Sequence, residues 1–359
     1  MQYNVFPEFT VPAIGQGGGG NDSIDDAHRI KVFQYGFDCG MTLIDTAEAY
    51  QNGHSEEVVG KAIAGRREKI FISTKFSADH HAYDAVKRSL EGSLRRLGTD
   101  YIDCYQVHWP NPTVPLEETM RALSDAKREG KIRHIGVSNF SRAAFDTAER
   151  SCHFSIASNQ IEYNLYERGA ESDFLPFSEI KHVMVMAYNP LLLGIKGKEF
   201  LNNLGEKYNK TPSQIILNWL ASHNTVVPIP RTSSIDHTRE NAESADFILE
   251  EKDKNGIDET FKNPVHLIPT WKIKVIFSDK EQVYCTLEEA KENRFRLAPS
   301  PEQLAEDIKN NAILKPIRLR ECAFLDSQYE YELLQGRIRY WAWIIAYGPE
   351  KPIPAYIND

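Results

Sequence analysis

The run Leu43-Ile44-Asp45-Thr46-Ala47-Glu48-Ala49-Tyr50 is an apolar strand that ends in an acid, with a tyrosine five residues further on. A strand that ends in Asp and passes into a short loop delivers two polar groups to one mouth of a sheet or barrel, where functional groups collect. Two later runs end in the same manner. Ile70-Phe71-Ile72-Ser73-Thr74-Lys75 closes on a lysine, and Tyr101-Ile102-Asp103-Cys104-Tyr105-Gln106-Val107-His108 closes on a histidine, followed by Trp109 and Pro110. If these strands are parallel neighbours, Asp45, Tyr50, Lys75 and His108 converge on one rim. A single lysine or histidine at a strand end is more often a solvated loop residue. Four such groups, each at a strand end, make a proton-transfer site the better reading.

Outward from these runs the chain alternates. Strands are predicted at 13–14, 42–45, 70–75, 102–108, 134–138, 156–160, 183–188 and 226–228, separated by amphipathic helices. In a helix at 85–97, Val86, Leu90, Leu94 and Leu97 fall on one face. Eight such units predict an α/β fold with a parallel sheet covered by helices. Ahead of them, 4–6 and 11–14 read as two short strands, a hairpin or the remnant of one.

The stretch Gly15-Gln16-Gly17-Gly18-Gly19-Gly20 contains a Gly-x-Gly-x-x-Gly dinucleotide fingerprint in form only. The fingerprint requires glycines that open a helix directly and an acid about twenty residues later. Asn21-Asp22-Ser23 reads instead as a loop and helix cap before a helix at 24–35. The glycines are therefore expected to form a flexible loop over a cofactor.

With 359 residues the chain exceeds one average domain, so a large barrel with additions or two domains is expected. A formal charge of −9 argues against a general nucleic-acid binder. The five cysteines are scattered and lack metal-ligand spacing, so neither a disulfide framework nor a metal site is expected. The start of the chain has no basic stretch followed by an apolar core, and the apolar run at 341–347 is too short for a membrane span. A cytoplasmic location is expected.

The set Asp45, Tyr50, Lys75 and His108, each in its local context, resembles the aldo-keto reductase superfamily. The resemblance implies a (β/α)8 TIM barrel over residues 1–261 and reduction of an aldehyde or ketone by NADPH, with NADH as the alternative. It continues through Gly136-Val137-Ser138-Asn139-Phe140, Asn159-Gln160, Ala187-Tyr188-Asn189-Pro190-Leu191 and Ile229-Pro230-Arg231-Thr232-Ser233-Ser234. By that resemblance Ser138, Asn139 and Gln160 hold the nicotinamide carboxamide, Tyr188 stacks on its ring, and Asn189 and Leu191 adjoin it. Arg231, Thr232 and Ser233 take the adenosine phosphate end, and Glu240 and Asn241 the adenine. An arginine there meets a 2′-phosphate bidentately, which favours NADPH. Tyr50 is the implied general acid. Lys75 is the cation that stabilises its phenolate, Asp45 aims Lys75, and His108 orients the carbonyl. Trp109, Tyr50 and residues 189–193 are expected to line the pocket of a small carbonyl substrate.

The resemblance runs out near Phe261, and Asn263-Pro264 marks a boundary. Residues 262–359 resemble the small α/β fold of ParB and sulfiredoxin. The resemblance rests on Leu304-Ala305-Glu306-Asp307-Ile308, on Ile313-Leu314-Lys315-Pro316-Ile317, on Tyr331-Glu332-Leu333-Leu334-Gln335-Gly336-Arg337-Ile338-Arg339, and on a closing Pro352-Ile353-Pro354-Ala355-Tyr356-Ile357. It implies that Gly336, Arg337 and Arg339 open a helix that takes the phosphate of a nucleotide or phosphorylated ligand. Sulfiredoxins carry a cysteine where Arg337 stands, so thiol repair is excluded. Such a module would regulate the barrel, cap it or bind that ligand. Two alternatives remain: an NADPH-sensing regulator whose second domain binds nucleotide or nucleic acid, and a bifunctional reductase and phosphotransferase.

Overall fold

The computed structural model describes residues 1–19, 25–111, 113–191, 197–262, 265–275, 284–295, 300–309, 315–322 and 329–358. The chain divides into two compact units, Met1–Phe261 and Lys262–Asp359.

In the first unit, β1 (Tyr3–Val5) and β2 (Thr10–Pro12) form an antiparallel hairpin. Eight strands follow: β3 (Gln16–Gly17), β4 (Leu43–Asp45), β5 (Phe71–Phe76), β6 (Ile102–Val107), β7 (Ile132–Ser138), β8 (Ile156–Glu162), β9 (Met184–Tyr188) and β10 (Val226–Pro228). They lie side by side in chain order, and every neighbouring pair is parallel. The Gly15 N–H donates to the Pro228 carbonyl and the Gly17 N–H to that of Pro230, both at 3.0 Å, so the first strand meets the last. The sheet is thereby a closed barrel.

Helices α1 (Asp26–Asp38), α2 (His54–Ile63), α3 (Tyr83–Leu97), α4 (Leu116–Arg128), α5 (Arg142–Ser151), α6 (Phe174–Lys181), α7 (Lys198–Tyr208), α8 (Pro212–Ala221), α9 (Ile235–Glu243) and α10 (Glu251–Thr260) accompany the strands. Helix α3 shows how local sequence and burial agree. Val86, Leu90 and Leu97 are fully buried and Leu94 nearly so. Asp84 sits in its first turn, Arg95 and Arg96 in its last, and Gly98 ends it at φ 63°. Helix α8 opens on a capping box between Thr211 and Gln214, with Pro212 at its first position.

The barrel's two ends differ. Phe6 and Val11 of the hairpin pack with Leu43, Met184 and Val227 into an apolar plug where the strands begin. Towards the ends of the strands the buried positions become polar: Asp45, Ser73, Lys75, Gln106, Ser138 and Gln160 are all at most 2% exposed. Among the described residues no helix is long and apolar enough to cross a membrane.

Two expectations are corrected. The first barrel strand is not 13–14 but Gln16–Gly17. The glycines at 15, 17 and 18 are wall rather than a loop over a cofactor, because the backbones approach too closely for side chains: a Cβ on Gly18 would lie 2.6 Å from the Asp45 carbonyl oxygen. Gly20 and the proposed cap at 21–23 lie outside the described residues; Asp25 caps α1 by accepting from the His28 N–H.

In the second unit, β11 (His266–Ile268), β12 (Ile273–Val275), β13 (Ile317–Glu321), β14 (Tyr331–Gln335) and β15 (Ile353–Asn358) form a mixed sheet in the order β11-β15-β13-β14-β12. Helices α11 (Leu287–Lys291), α12 (Pro301–Lys309) and α13 (Arg337–Tyr347) belong to the same unit. Tyr340, Trp341 and Ile344 of α13 pack with Ile317, Leu319, Leu333 and Ile353 of the sheet. Ala305 and Ile308 of α12 meet Ala342.

Candidate active site

Parallel pairing sets the register that gathers the site. Asp45 lies opposite Ser73, Lys75 opposite Gln106, and Ser138 opposite Gln160. Side chains two apart on a strand share a face, so Ser73 and Lys75 both enter the barrel. Lys75 Nζ donates to Asp45 Oδ2 at 2.7 Å and to the Thr46 carbonyl at 2.8 Å, and reaches the Tyr50 hydroxyl at 3.4 Å. The His108 and Tyr50 rings meet edge to face, with centroids 5.7 Å apart. The four residues expected to converge therefore do converge.

Burial disfavours a charge on Lys75, but Asp45 and the Tyr50 oxygen outweigh it and hold the ammonium above its ordinary pKa. The same burial, with the Lys75 charge beside it, pushes the His108 imidazole down to about 3. The site thus combines a charged lysine with a neutral histidine at neutral pH.

Tyr50 opens a single turn, Tyr50–Gly53, in which Gln51 and Asn52 both adopt left-handed backbone at φ 53°. Side chains rarely accept that conformation, so neighbours must hold it. Arg29 supplies the hold: its guanidinium donates to Gln51 Oε1 at 2.9 Å and to the Gly18 carbonyl at 3.2 Å. Ser55 Oγ donates to the same carbonyl at 2.7 Å. Arg29 falls three and four residues before Val32 and Phe33, on the face of α1 that is buried, and that spacing was the available signal for this clamp, which sequence reasoning missed.

The other expected residues fall around this centre. The Asn139 amide donates to the His108 carbonyl and the Ser138 hydroxyl, at 3.1 and 3.0 Å, and the Tyr188 hydroxyl donates to Asn139 Oδ1 at 3.0 Å. Asn139 and Asn189 both hold left-handed backbone, at φ 63° and 50°. Gln160 Nε2 donates to Asp45 Oδ1 at 2.8 Å, so its amide also serves the carboxylate. Leu191 packs against the core, and 192–193 lie outside the described residues. Arg231 is exposed, and its Nη1 reaches the Gly19 carbonyl at 3.5 Å. Thr232 Oγ1 accepts from the Ser234 N–H, and the Ser233 carbonyl accepts from His28 Nε2. The Glu240 carbonyl accepts from Gln214, and Asn241 is buried in α9. Trp109 is 45% exposed, stacked on His108, and its carbonyl accepts from the buried His81.

In the second unit Gly336, at φ 101°, opens α13. Arg339 Nη1 turns back to the carbonyls of Lys315 and Pro316, at 2.8 and 2.7 Å. Arg337 begins the helix half-buried.

A closed parallel barrel whose strand ends gather a phenol, a buried lysine–carboxylate pair and a neutral imidazole is an enzyme of proton-coupled chemistry at a carbonyl. The chain belongs to the Aldo/keto reductase family of oxidoreductases, whose sequence profile matches residues 13–262. It is similar to the methylglyoxal reductase YeaE of Escherichia coli (strain K12), 34% identical over 266 residues, covering 72% of this chain and 93% of that protein. Among solved structures it is similar to a thermostable aldo-keto reductase, Tm1743, in complex with the inhibitor epalrestat: TM-score 0.69, 38% identity, 72% of this chain and 100% of that one. It is also similar to an aldo/keto reductase from Klebsiella pneumoniae in complex with NADP and acetate: TM-score 0.68, 35% identity, 74% of this chain and 97% of that one.

Proposed function

We propose that the barrel reduces the carbonyl of a small aldehyde or ketone with NADPH, NADH being the alternative donor, and that its substrate class is the 2-oxoaldehydes, after the methylglyoxal named for the Escherichia coli relative. The observation that carries this reading is the continuous line Asp45–Lys75–Tyr50 beside a neutral His108.

The rim fits a nicotinamide cofactor. Tyr188 is a half-buried ring anchored through its hydroxyl, Asn139 and Asn189 are locked in left-handed backbone, and Arg231 is an exposed cation. In this reading Tyr188 stacks on the nicotinamide, Asn189 and Leu191 adjoin it, and Ser138, Asn139 and Gln160 hold its carboxamide. Arg231, Thr232 and Ser233 hold phosphate, and Glu240 and Asn241 the adenine. When bound, the cofactor supplies a hydride to the carbonyl carbon. Tyr50 gives its hydroxyl proton to the carbonyl oxygen. Lys75 stabilises the phenolate left behind, and Asp45 keeps the ammonium charged and aimed. His108, uncharged, donates one hydrogen bond that orients the carbonyl without adding a second cation beside Lys75.

A positioned general acid contributes about 10²–10⁴ in rate. Tyr50→Phe is expected to lose about that factor in kcat for methylglyoxal, while NADPH still quenches the protein's fluorescence. Undiminished turnover in that variant would remove Tyr50 from the chemistry.

For residues 262–359 we propose a ParB/sulfiredoxin-like module that regulates the enzyme or binds a phosphorylated ligand. The strand–glycine–helix order at β14, Gly336 and α13 supports it. The commitment of Arg339 to two carbonyls weighs against that residue as a phosphate ligand and leaves Gly336 and Arg337 as the candidates. Titration of the full chain with ATP, CTP and inorganic phosphate, followed by NMR of α13, tests the ligand; no shift at Gly336 or Arg337 would refute phosphate binding there.

A further inference from the structure

Asp45 is aimed by more than Lys75. Its Oδ2 faces the ammonium, whereas its Oδ1 accepts from Gln160 Nε2 at 2.8 Å and from the Ser73 hydroxyl at 3.1 Å. Behind Ser73, Gln106 Nε2 approaches the same hydroxyl oxygen at 2.5 Å. All of these side chains are at most 2% exposed, so each hydrogen bond forms without water. Ser73 and Lys75 are two apart on β5, and Gln106 lies opposite Lys75 on β6.

The direction of the chain is forced. A serine hydroxyl has one proton, and an ionised carboxylate only accepts. With the Gln106 nitrogen towards Ser73, the serine proton is driven onto Asp45. The opposite amide orientation would draw that proton to Gln106 and leave two acceptors facing each other 3.1 Å apart. The orientation that supports Asp45 leaves Gln106 Oε1 buried without a hydrogen-bond partner. Both glutamine nitrogens also lie 3.9 Å from Met186 Sδ, so the two amides converge on that sulfur inside the barrel. A carboxylate turns easily about its last bond. Two donors on Oδ1 are what keep Oδ2 facing Lys75.

We propose that Ser73 and Gln106 are positioning residues for the proton-donating site, Gln106 directing the Ser73 hydroxyl onto Asp45 so that the carboxylate holds Lys75 in line with Tyr50. This rests on the reductase reading of the same site, and two readouts separate the failure of each. The first is the side-chain ammonium signal of Lys75 in ¹⁵N-lysine-labelled protein, identified by its loss in Lys75→Met. Ser73→Ala and Gln106→Met are each expected to speed exchange of those protons with water at least about threefold, as the aim of Asp45 loosens. The second is a double-mutant cycle on methylglyoxal turnover. Ser73→Ala is expected to lower kcat about tenfold with little change in KM, Gln106→Met to lower it less, and the double variant to be no worse than Ser73→Ala, because Gln106 acts only through the serine. Two merely structural vacancies would instead multiply their losses and leave Lys75 exchange unchanged, and either result overturns the proposal. A parent protein without turnover would refute the reductase reading alone, and Lys75 exchange would still decide this one.

Discussion

Lys75 in the barrel and Arg339 in the second unit are both cations drawn into the protein, and their partners differ in kind. Lys75 faces a carboxylate, one backbone carbonyl and a phenol. Arg339 gives Nη1 to two backbone carbonyls, where α13 meets the strand that follows Pro316. A carbonyl cannot titrate, so these two bonds of Arg339 fasten chain to chain. A phenol can lose a proton, so the first places the charge where a neighbour's ionisation can use it. Burial of a cation is thus a weak sign of chemistry; the nature of its partners decides.

The largest expected effect tests the barrel half of that contrast. Lys75→Met leaves Asp45 buried beside an apolar side chain, and breaking a buried pair from one side costs about 3–5 kcal/mol. Denaturant unfolding of the barrel should show that loss, together with disappearance of turnover. If stability holds and only turnover falls, Asp45 has found another partner and the pair is less exclusive than described.

Arg339→Ala comes next. The loss of charge-assisted bonds to two carbonyls is expected to cost about 1.5–3 kcal/mol, seen as earlier melting of the second unit in the full chain. Gly336→Ala should fall in the same range or above it, because a Cβ there meets Ile317 Cγ2 at 2.9 Å on a backbone at φ 101°. A neutral Arg339→Ala would move that residue back among the candidates for ligand binding.

Acid separates the units directly. Burial holds His108, His81, His134 and His223 below the ordinary histidine pKa, His108 at about 3. The unfolded chain therefore binds more protons than the native barrel below about pH 6.5, and stability falls as pH drops. Each such group contributes at most about 1.4 kcal/mol per pH unit, and for His108 the loss levels off only near pH 3. His54, raised by Glu57 and Asp26, acts in the opposite sense. The second unit carries a single histidine, His266. Between pH 7 and 5 the barrel should lose stability faster than the second unit, and His108→Asn should flatten its slope.

The barrel was legible because a strand buried on both sides reads as an apolar run, and its functional end as the polar residue that stops it. Three of the strands announced themselves in that way, through Asp45, Lys75 and His108, and four more through their alternation with helices. The first did not, since Gln16–Gly17 has only two residues, neither apolar, and its place depends on closure rather than on local pattern. Ser73 and Gln106 were visible as polar residues inside apolar runs, each two before a catalytic candidate, Lys75 and His108. Period-two reasoning would have placed them on the same face, but hydrogen-bond direction is not written in a sequence. In the second unit the order of strand, glycine and helix could be read, whereas the fate of Arg339 was decided by carbonyls more than twenty residues away.

The bonds from Gly15 and Gly17 to Pro228 and Pro230 have a further meaning for a chain emerging from the ribosome. The partner of the first strand is made about two hundred residues after it, which at roughly 5–20 residues per second is a wait of roughly 10–40 s. During that interval the growing sheet has an unpaired edge at each side, the situation in which strands recruit foreign partners. Asp45, Lys75 and Gln160 are all synthesised within it. The nascent catalytic pair is therefore complete in sequence well before it is sealed from water.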